Sequence, residues 1–406
     1  MCYLLRECDL TNDCCENLAS ALCTNQSSLR ELQLTRNKLW TSGVKLLCAG
    51  LKDPHCKLEK LGLYQCNLTG DCCEDLASVL RTKQSTLREL ELGCNDLGNS
   101  GVKLMFAALK DQHCKLEKLR LSRCDLTGSC CEDLASALLT NGSTLRELEL
   151  SGNKLGNSGV KLTAALKDPN CKLEKLELSA CGLTGDCCED LASALLTNGS
   201  TLRELELSGN KLGNSGVKLT AALKDPNCKL QKLGLSRCDL TGSCCEDLAS
   251  ALRTNQSTLR ELELNYNNLG DSGVKLIAAL KDPNCKLEIL GLDECGLTGD
   301  CCEDLASALC KDQSTLRELD LSCNNLGNSG VKLLSAALKD TNCKLQKLRL
   351  YKCELTVDSC EDLAAALHTN QSTVRELDLG GNNLGNSVVK LAAALKDPNC
   401  KLENLV

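Results

Sequence analysis

Aromatic side chains are almost missing from this 406-residue chain: Phe, Tyr and Trp make up 1% of it, with a single Trp and a single Phe. Any core must therefore be filled by Leu, Val, Ala and Cys, within a hydrophobic content of 42% that is ample for one. Histidine is scarce too: only His55, His113 and His368 occur. No GxxxxGK[ST] phosphate loop, HExxH or CxxC is present, so phosphate-loop chemistry, zinc hydrolysis and dithiol redox catalysis lose their usual signatures. No catalytic residue, metal or cofactor is expected. No apolar run reaches the 18 residues or so that span a bilayer. The N-terminus, Met1-Cys-Tyr-Leu-Leu-Arg-Glu-Cys8, lacks the form of a secretory leader. The formal charge of −7 argues against binding nucleic acid by phosphate neutralisation.

What the chain has instead is a period. Leu145-Arg-Glu-Leu148-Glu-Leu150-Ser-Gly-Asn153-Lys-Leu155 reads LxxLxLxxNxL. Near-copies begin at Leu29, Leu58, Leu87, Leu116, Leu145, Leu173, Leu202, Leu230, Leu259, Leu287, Leu316, Leu345, Val374 and Leu402, each 28 or 29 residues after the last. This is the pattern of a leucine-rich-repeat solenoid, an α/β fold in which each unit touches mainly its neighbours. Alternating apolar and polar residues in LxxLxL predict a short strand with one face buried. Helices in the second half of each repeat are wider than strands, about 8–10 Å between axes against about 4.8 Å. Strands on the concave face and helices on the convex face should thus bend the stack into a horseshoe. One array over 1–406 is expected, with an incomplete first repeat (1–28), alternating repeats (29–401) and a truncated last one (402–406).

Two repeat types alternate. Type A carries Asn at motif position nine (Asn37, Asn95, Asn153, Asn210, Asn267, Asn324, Asn382) and type B carries Cys (Cys8, Cys66, Cys124, Cys181, Cys238, Cys295, Cys353). These side chains should turn inward and bond orphaned loop backbone. The total of 33 cysteines would suggest a disulfide framework in a short secreted chain. Here equivalent cysteines lie two strands apart, about twice 4.8 Å, beyond the roughly 7 Å that a bridge can span. Most are read as reduced, buried, small apolar groups, which points to the cytoplasm. In type B, Asp71-Cys-Cys-Glu74 and Ser129-Cys-Cys-Glu132 predict capping boxes. In type A, Asn157 to Val160 should open a helix, and Lys167 to Asn170 should close it, with Pro169 barring continuation. Neither end carries a polar capping repeat, so a fragment of a longer protein or a truncated gene model is expected.

The stretch LRELELSGNKLGNSGVKLTAALKDPNCKLEKLELSACGLTGDCCEDLASALLTNGS, Leu145 to Ser200, resembles ribonuclease inhibitor and the C-terminal repeats of the NACHT-domain, NLRP-type innate sensors. The resemblance covers essentially the whole chain, and the near-identity of successive repeats looks most like the expanded NLR repertoires of fish. It implies a protein–protein interaction module: the ligand-sensing or autoinhibitory repeat region of an NLR-type innate immune sensor. The alternatives are a free-standing inhibitor of ribonuclease-inhibitor type, or a non-functional fragment or scaffold. A PYRIN, CARD-like or NACHT segment is not present, so signalling and ATP binding do not carry over.

A protein partner should meet the concave face, and other domains of the same longer chain are possible partners. Position three alternates across successive strands: Glu31, Lys60, Glu89, Lys118, Glu147, Lys175, Glu204, Lys232, Glu261, Ile289, Glu318, Lys347 and Glu376. The plain reading is a charge ladder that serves stability and solubility, with exposed pairs worth about 0–1 kcal/mol each. The break at Ile289 is either an apolar contact point or drift. Positions five, seven and eight vary far more, and three of the four tyrosines fall at seven or eight. Aromatics and Arg dominate interface hot spots. The predicted partner contacts are Trp40, Tyr64, Arg120, Arg123, Tyr266, Asp293, Glu294, Arg349, Tyr351 and Lys352, against random substitution at exposed sites as the bland alternative. The acidic stretch from Glu147 to Glu206 would suit a basic partner, as in ribonuclease inhibitor. His55 and His113 share a loop slot where other repeats carry Asn, and read as ordinary loop substitutions.

Overall fold

A computed structural model describes residues 2–140, 142–369 and 371–406. The chain divides into two compact units, one up to Glu206 and one from Leu207. In the first, eight short strands follow one another in chain order: β1 (Cys2–Leu4), β2 (Glu31–Gln33), β3 (Lys60–Gly62), β4 (Glu89–Glu91), β5 (Lys118–Arg120), β6 (Glu147–Glu149), β7 (Lys175–Glu177) and β8 (Glu204–Glu206). Each pairs in parallel with the next, motif position against motif position, as in Glu89↔Lys118 and Leu90↔Leu119. The second unit repeats the plan with β9 (Lys232–Gly234), β10 (Glu261–Glu263), β11 (Ile289–Gly291), β12 (Glu318–Asp320), β13 (Lys347–Arg349), β14 (Glu376–Asp378) and β15 (Asn404–Leu405). Both units are leucine-rich-repeat solenoids of the α/β class.

The motif leucines make the core. Leu145, Leu148, Leu150 and Leu155 are at most 2% exposed, and their equivalents in the repeats on either side are buried alike. Each such side chain contributes about 1.5–3 kcal/mol when withdrawn from water. Phe106, the one Phe, is fully buried in the helix Gly98–Leu109.

Position nine works as predicted, and the two types work differently. The Asn95 carboxamide oxygen accepts the Cys66 and Leu68 N–H groups (2.9 and 3.0 Å), while its nitrogen donates to the Leu63 and Leu92 carbonyls (2.8 Å each). One Asn thereby clamps the turn of the preceding type-B repeat and its own strand end. Asn153, Asn267 and Asn324 make the same four bonds. The type-B thiol makes a single bond to the preceding strand: Cys66 Sγ donates to the Leu34 carbonyl at 3.1 Å and Cys124 Sγ to that of Leu92 at 3.3 Å. All 33 cysteines are free thiols, and most are buried. Cys8 is the exposed exception among the position-nine cysteines.

The helical halves depart from expectation at their starts. The capping boxes do not form: neither Asp71 nor Ser129 makes a side-chain cap bond. A 3₁₀ turn, Gly70–Cys72 or Gly128–Cys130, comes first, and the α-helices Cys73–Arg81 and Cys131–Leu138 begin one residue later than a box requires. Ser129 is instead held by the neighbouring repeat, whose Asn99 Nδ2 lies 2.9 Å from its hydroxyl. In type A, Asn157 to Val160 lie within a 3₁₀ turn, Gly156–Lys161, followed by the short α-helix Leu162–Leu166. The full-length repeats are α-helical from the outset, over Trp40–Leu51, Gly98–Leu109 and Gly327–Ala337. Every 28-residue repeat opens with 3₁₀. The 3₁₀ form rises about 2.0 Å per residue against 1.5 Å, so it spans the same edge with one residue fewer. The closing turn is as expected: the Asp168 carboxylate accepts the Asn170 N–H at 2.8 Å, with Pro169 between them.

Candidate functional site

On the strand side, parallel register places like motif positions next to one another, so sequence alternation becomes spatial alternation. Lys60 Nζ lies 3.1 Å from Glu89, Lys118 Nζ lies 2.7 Å from Glu147 and 4.0 Å from Glu89, and Lys175 Nζ lies 3.3 Å from Glu204. In the second unit Lys232 pairs with Glu261, and Lys347 with Glu376 at 2.8 Å. A second row, at position two, was missed by sequence reasoning although its signal is as regular. Arg30–Glu59, Arg88–Glu117, Arg146–Glu174, Arg260–Glu288 and Arg375–Glu403 are all paired.

Position five is where the two units differ. Glu149, Glu177 and Glu206 follow one another on adjacent strands of the first unit. Adjacent like charges oppose each other. Burial pushes the Glu149 carboxyl above its ordinary range, and the neighbouring Glu177 pushes it further. Arg120 stands beside this row, 3.6 Å from Glu149 and 3.7 Å from Glu147. Arg349 is its counterpart in the second unit, 3.5 Å from Asp320 and 3.8 Å from Glu376. Arg120 and Arg349, two of the three predicted contact arginines, are thus neutralised locally rather than projecting as free charges.

Positions seven and eight form a ledge where each strand ends. The position-eight residue turns the chain through the left-handed region, with φ of 50° at Arg123, 60° at Tyr266, 49° at Glu294 and 49° at Lys352. On the first unit the Cys94 thiol donates to the Tyr64 hydroxyl at 2.8 Å, and that contact raises the phenol above its ordinary range. The Arg123 side chain lies over Gly152, where an added Cβ would meet its Cγ at 2.7 Å. On the second unit the Arg237 guanidinium sits 4.2 Å from the Tyr266 ring centre, a cation–π pair. Asp293 raises the Tyr266 phenol. Lys352 Nζ lies 5.2 Å from the Tyr351 ring centre. Cys323, half-buried between Asp293, Glu294 and Lys352, has its thiol pushed up to about 11, by burial first and Asp293 second.

The second-unit ledge therefore brings together Tyr266, Asp293, Glu294, Tyr351 and Lys352, and adds Arg237 and Cys323. Position in the motif could have found those two; residue type alone did not. Trp40 is not part of either group. It opens the helix Trp40–Leu51, 51% exposed, with φ of 55° at a place where the other type-A repeats have Gly. The histidines sit in turns, His55 Nδ1 being 3.1 Å from Asp53 and His368 Nδ1 3.0 Å from Asp397. Among the described residues no group of three or more His, Cys, Asp or Glu could hold a metal ion.

Stacked turns of this kind, with a parallel strand face and a variable ledge, define a leucine-rich-repeat protein, and a Leucine Rich repeat family model matches at 83–106, 143–162, 200–219, 255–278, 312–335 and 370–387. A chain from the yeast Rad7–Elc1 complex shares the fold, with a TM-score of 0.52 at 20% identity over 92% of this chain and 85% of that one. Mouse ribonuclease inhibitor is 43% identical over 406 residues, covering 99% of this chain and 88% of the inhibitor. The chain belongs to the ribonuclease inhibitor-like family of leucine-rich-repeat proteins. Human NACHT, LRR and PYD domains-containing protein 12 is 44% identical over 353 residues, 86% of this chain but 33% of that protein.

Proposed function

We propose that this chain is a protein-binding module whose partner contacts the strand side, and that it serves as the ligand-sensing or autoinhibitory repeat region of an NLR-type sensor in the cytoplasm. The observation that carries the binding reading is the second-unit ledge. In a chain with six aromatic residues, Tyr266 and Tyr351 are 39% and 37% exposed on one ledge, each beside a cation. Tyr and Arg are the residues that most often anchor interfaces. The free thiols favour a reducing compartment, and no described helix is long and apolar enough to cross a membrane. The sensor reading is supported by the match to NACHT, LRR and PYD domains-containing proteins across 86% of the chain. The test is partner binding by the Tyr266→Ala/Tyr351→Ala double variant: loss with an unchanged fold supports the ledge, and unchanged affinity removes it. A NACHT-coding segment in frame in the transcript would support the sensor role.

A second reading, a free-standing enzyme inhibitor, is favoured by the match over 88% of the length of ribonuclease inhibitor. The carboxylate row Glu149, Glu177 and Glu206 suits a basic target. Inhibition of a pancreatic-type ribonuclease by the purified chain tests it. Activity undiminished at stoichiometric excess rejects it.

A further inference from the structure

The position-three ladder has one gap, and the rest of the ladder shows what belongs there. In other type-B repeats the ammonium of Lys60, Lys118, Lys175, Lys232 or Lys347 lies against a glutamate of an adjoining strand. On β11 the residue is Ile289, in register with Glu261 on one side and Glu318 on the other. Glu261 is paired with Lys232. The next cation along, Lys347, is in register with Glu318 but forms its ion pair with Glu376 at 2.8 Å.

The gap is a pocket and not a flat stretch of sheet. A cavity of about 200 Å³ is bounded by Glu263, Ile289, Glu318 and Asp320, with the cations Lys347 and Arg349 on its far side. Its floor depends on Gly291: a Cβ there would lie 2.0 Å from Glu263 Oε2 and 2.6 Å from Asn265 Oδ1. Glycine lets Glu263 fold across the strand, where Asn265 Nδ2 donates to Oε2 at 2.8 Å and fixes the carboxylate as a wall. Asp320 is answered by Arg349 at 3.5 Å, and Glu263 is held by Asn265 and pushed above its ordinary range by burial, which leaves Glu318 as the rim carboxylate without an ion pair among the described residues.

We propose that this notch receives a lysine side chain from a protein partner. The methylenes would lie on Ile289 and the ammonium beside Glu318, so that the partner supplies in trans the rung that the chain omits. Lysine fits because its apolar stem can lie on the Ile289 side chain while its terminal charge meets the Glu318 carboxylate. The occupied rungs of the same molecule are internal copies of the site, already holding an ammonium against the equivalent carboxylates. The inference rests on the strand-side binding reading and specifies the chemistry of one contact within it.

The chain provides its own reporter, since Ile277 and Ile289 are its only isoleucines. Ile277 is fully buried in the helix Gly273–Ala279. Selective ¹³C labelling of isoleucine δ1 methyls in the full chain therefore gives two signals, one at the notch and one control. Titration with Nα-acetyl-lysine methylamide should shift the Ile289 signal saturably and leave Ile277 in place. The norleucine amide, which has the stem without the charge, should move neither. Glu318→Gln should weaken the lysine response several-fold, with an unmoved Ile277 signal reporting an intact fold. A still Ile289 signal, an equal response to norleucine, or an undiminished response in Glu318→Gln would each overturn the notch. Those results would leave the ledge standing, because Tyr266 and Tyr351 test it separately.

Discussion

Replacing Asn95 by Ala should cost far more than its size suggests. The side chain is 5% exposed and answers four backbone groups. Alanine leaves the Cys66 and Leu68 N–H groups buried without an acceptor, and the Leu63 and Leu92 carbonyls without this donor. Each unsatisfied buried group costs about 1–3 kcal/mol. Counting only the two N–H groups, the expected loss is about 4 kcal/mol. Cys66→Ala is the calibrating variant: it loses one thiol bond to Leu34 and a small buried volume, about 1–1.5 kcal/mol. Urea unfolding of the full chain measures both, and hydrogen exchange at the Cys66 and Leu68 amides locates the damage. An Asn95→Ala loss below about 1 kcal/mol, or one equal to that of Cys66→Ala, would refute the clamp.

Further outcomes follow from the same geometry. Trp40 holds a left-handed conformation that costs a non-glycine residue about 1–2 kcal/mol, against about 0.5–1 kcal/mol of chain entropy lost by Gly. Trp40→Gly should thus be at least as stable as Trp40→Ala in thermal unfolding. Folding raises the Glu149 carboxyl, so its contribution is fully present below the unfolded pKa of about 4.3 and is lost as pH rises through the folded value. Glu149→Gln should therefore be more stable than the parent near neutral pH and no more stable below the unfolded value, as read by denaturation at each pH. In thiol counting, Cys2 and Cys8 should react at once, with Cys14, Cys23, Cys94, Cys310, Cys323 and Cys400 more slowly. The buried thiols should react only on unfolding, and a native count that includes them would contradict the packing.

The core was legible because its rule is local: leucines at fixed spacing share one side of a short strand, and stacking does the rest. The Asn and Cys alternation was legible for the same reason, as position nine has one place to turn. Helix starts were not. Asp71 and Ser129 have the residue types of a capping box, but the preceding Gly allows a tight 3₁₀ turn, and the neighbouring Asn99 competes for Ser129. The shortened type-A repeats showed a missing residue without showing that a tighter helix absorbs it. Arg237 was missed because its role depends on Tyr266 one strand away, which only register reveals. Trp40 was grouped with the tyrosines by residue type, and the turn after Asn37 separates it from them.

The central claim, that partners are met on the strand side, is tested most directly by photo-crosslinking with exposure-matched positions. A photoreactive residue at Tyr266 or Tyr351, 39% and 37% exposed, is compared with one at Leu46, Leu104 or Leu333, each 41% exposed on the helices. The account predicts crosslinks to a protein partner from the tyrosine positions and none from the leucines. Crosslinks confined to the leucine positions would contradict it.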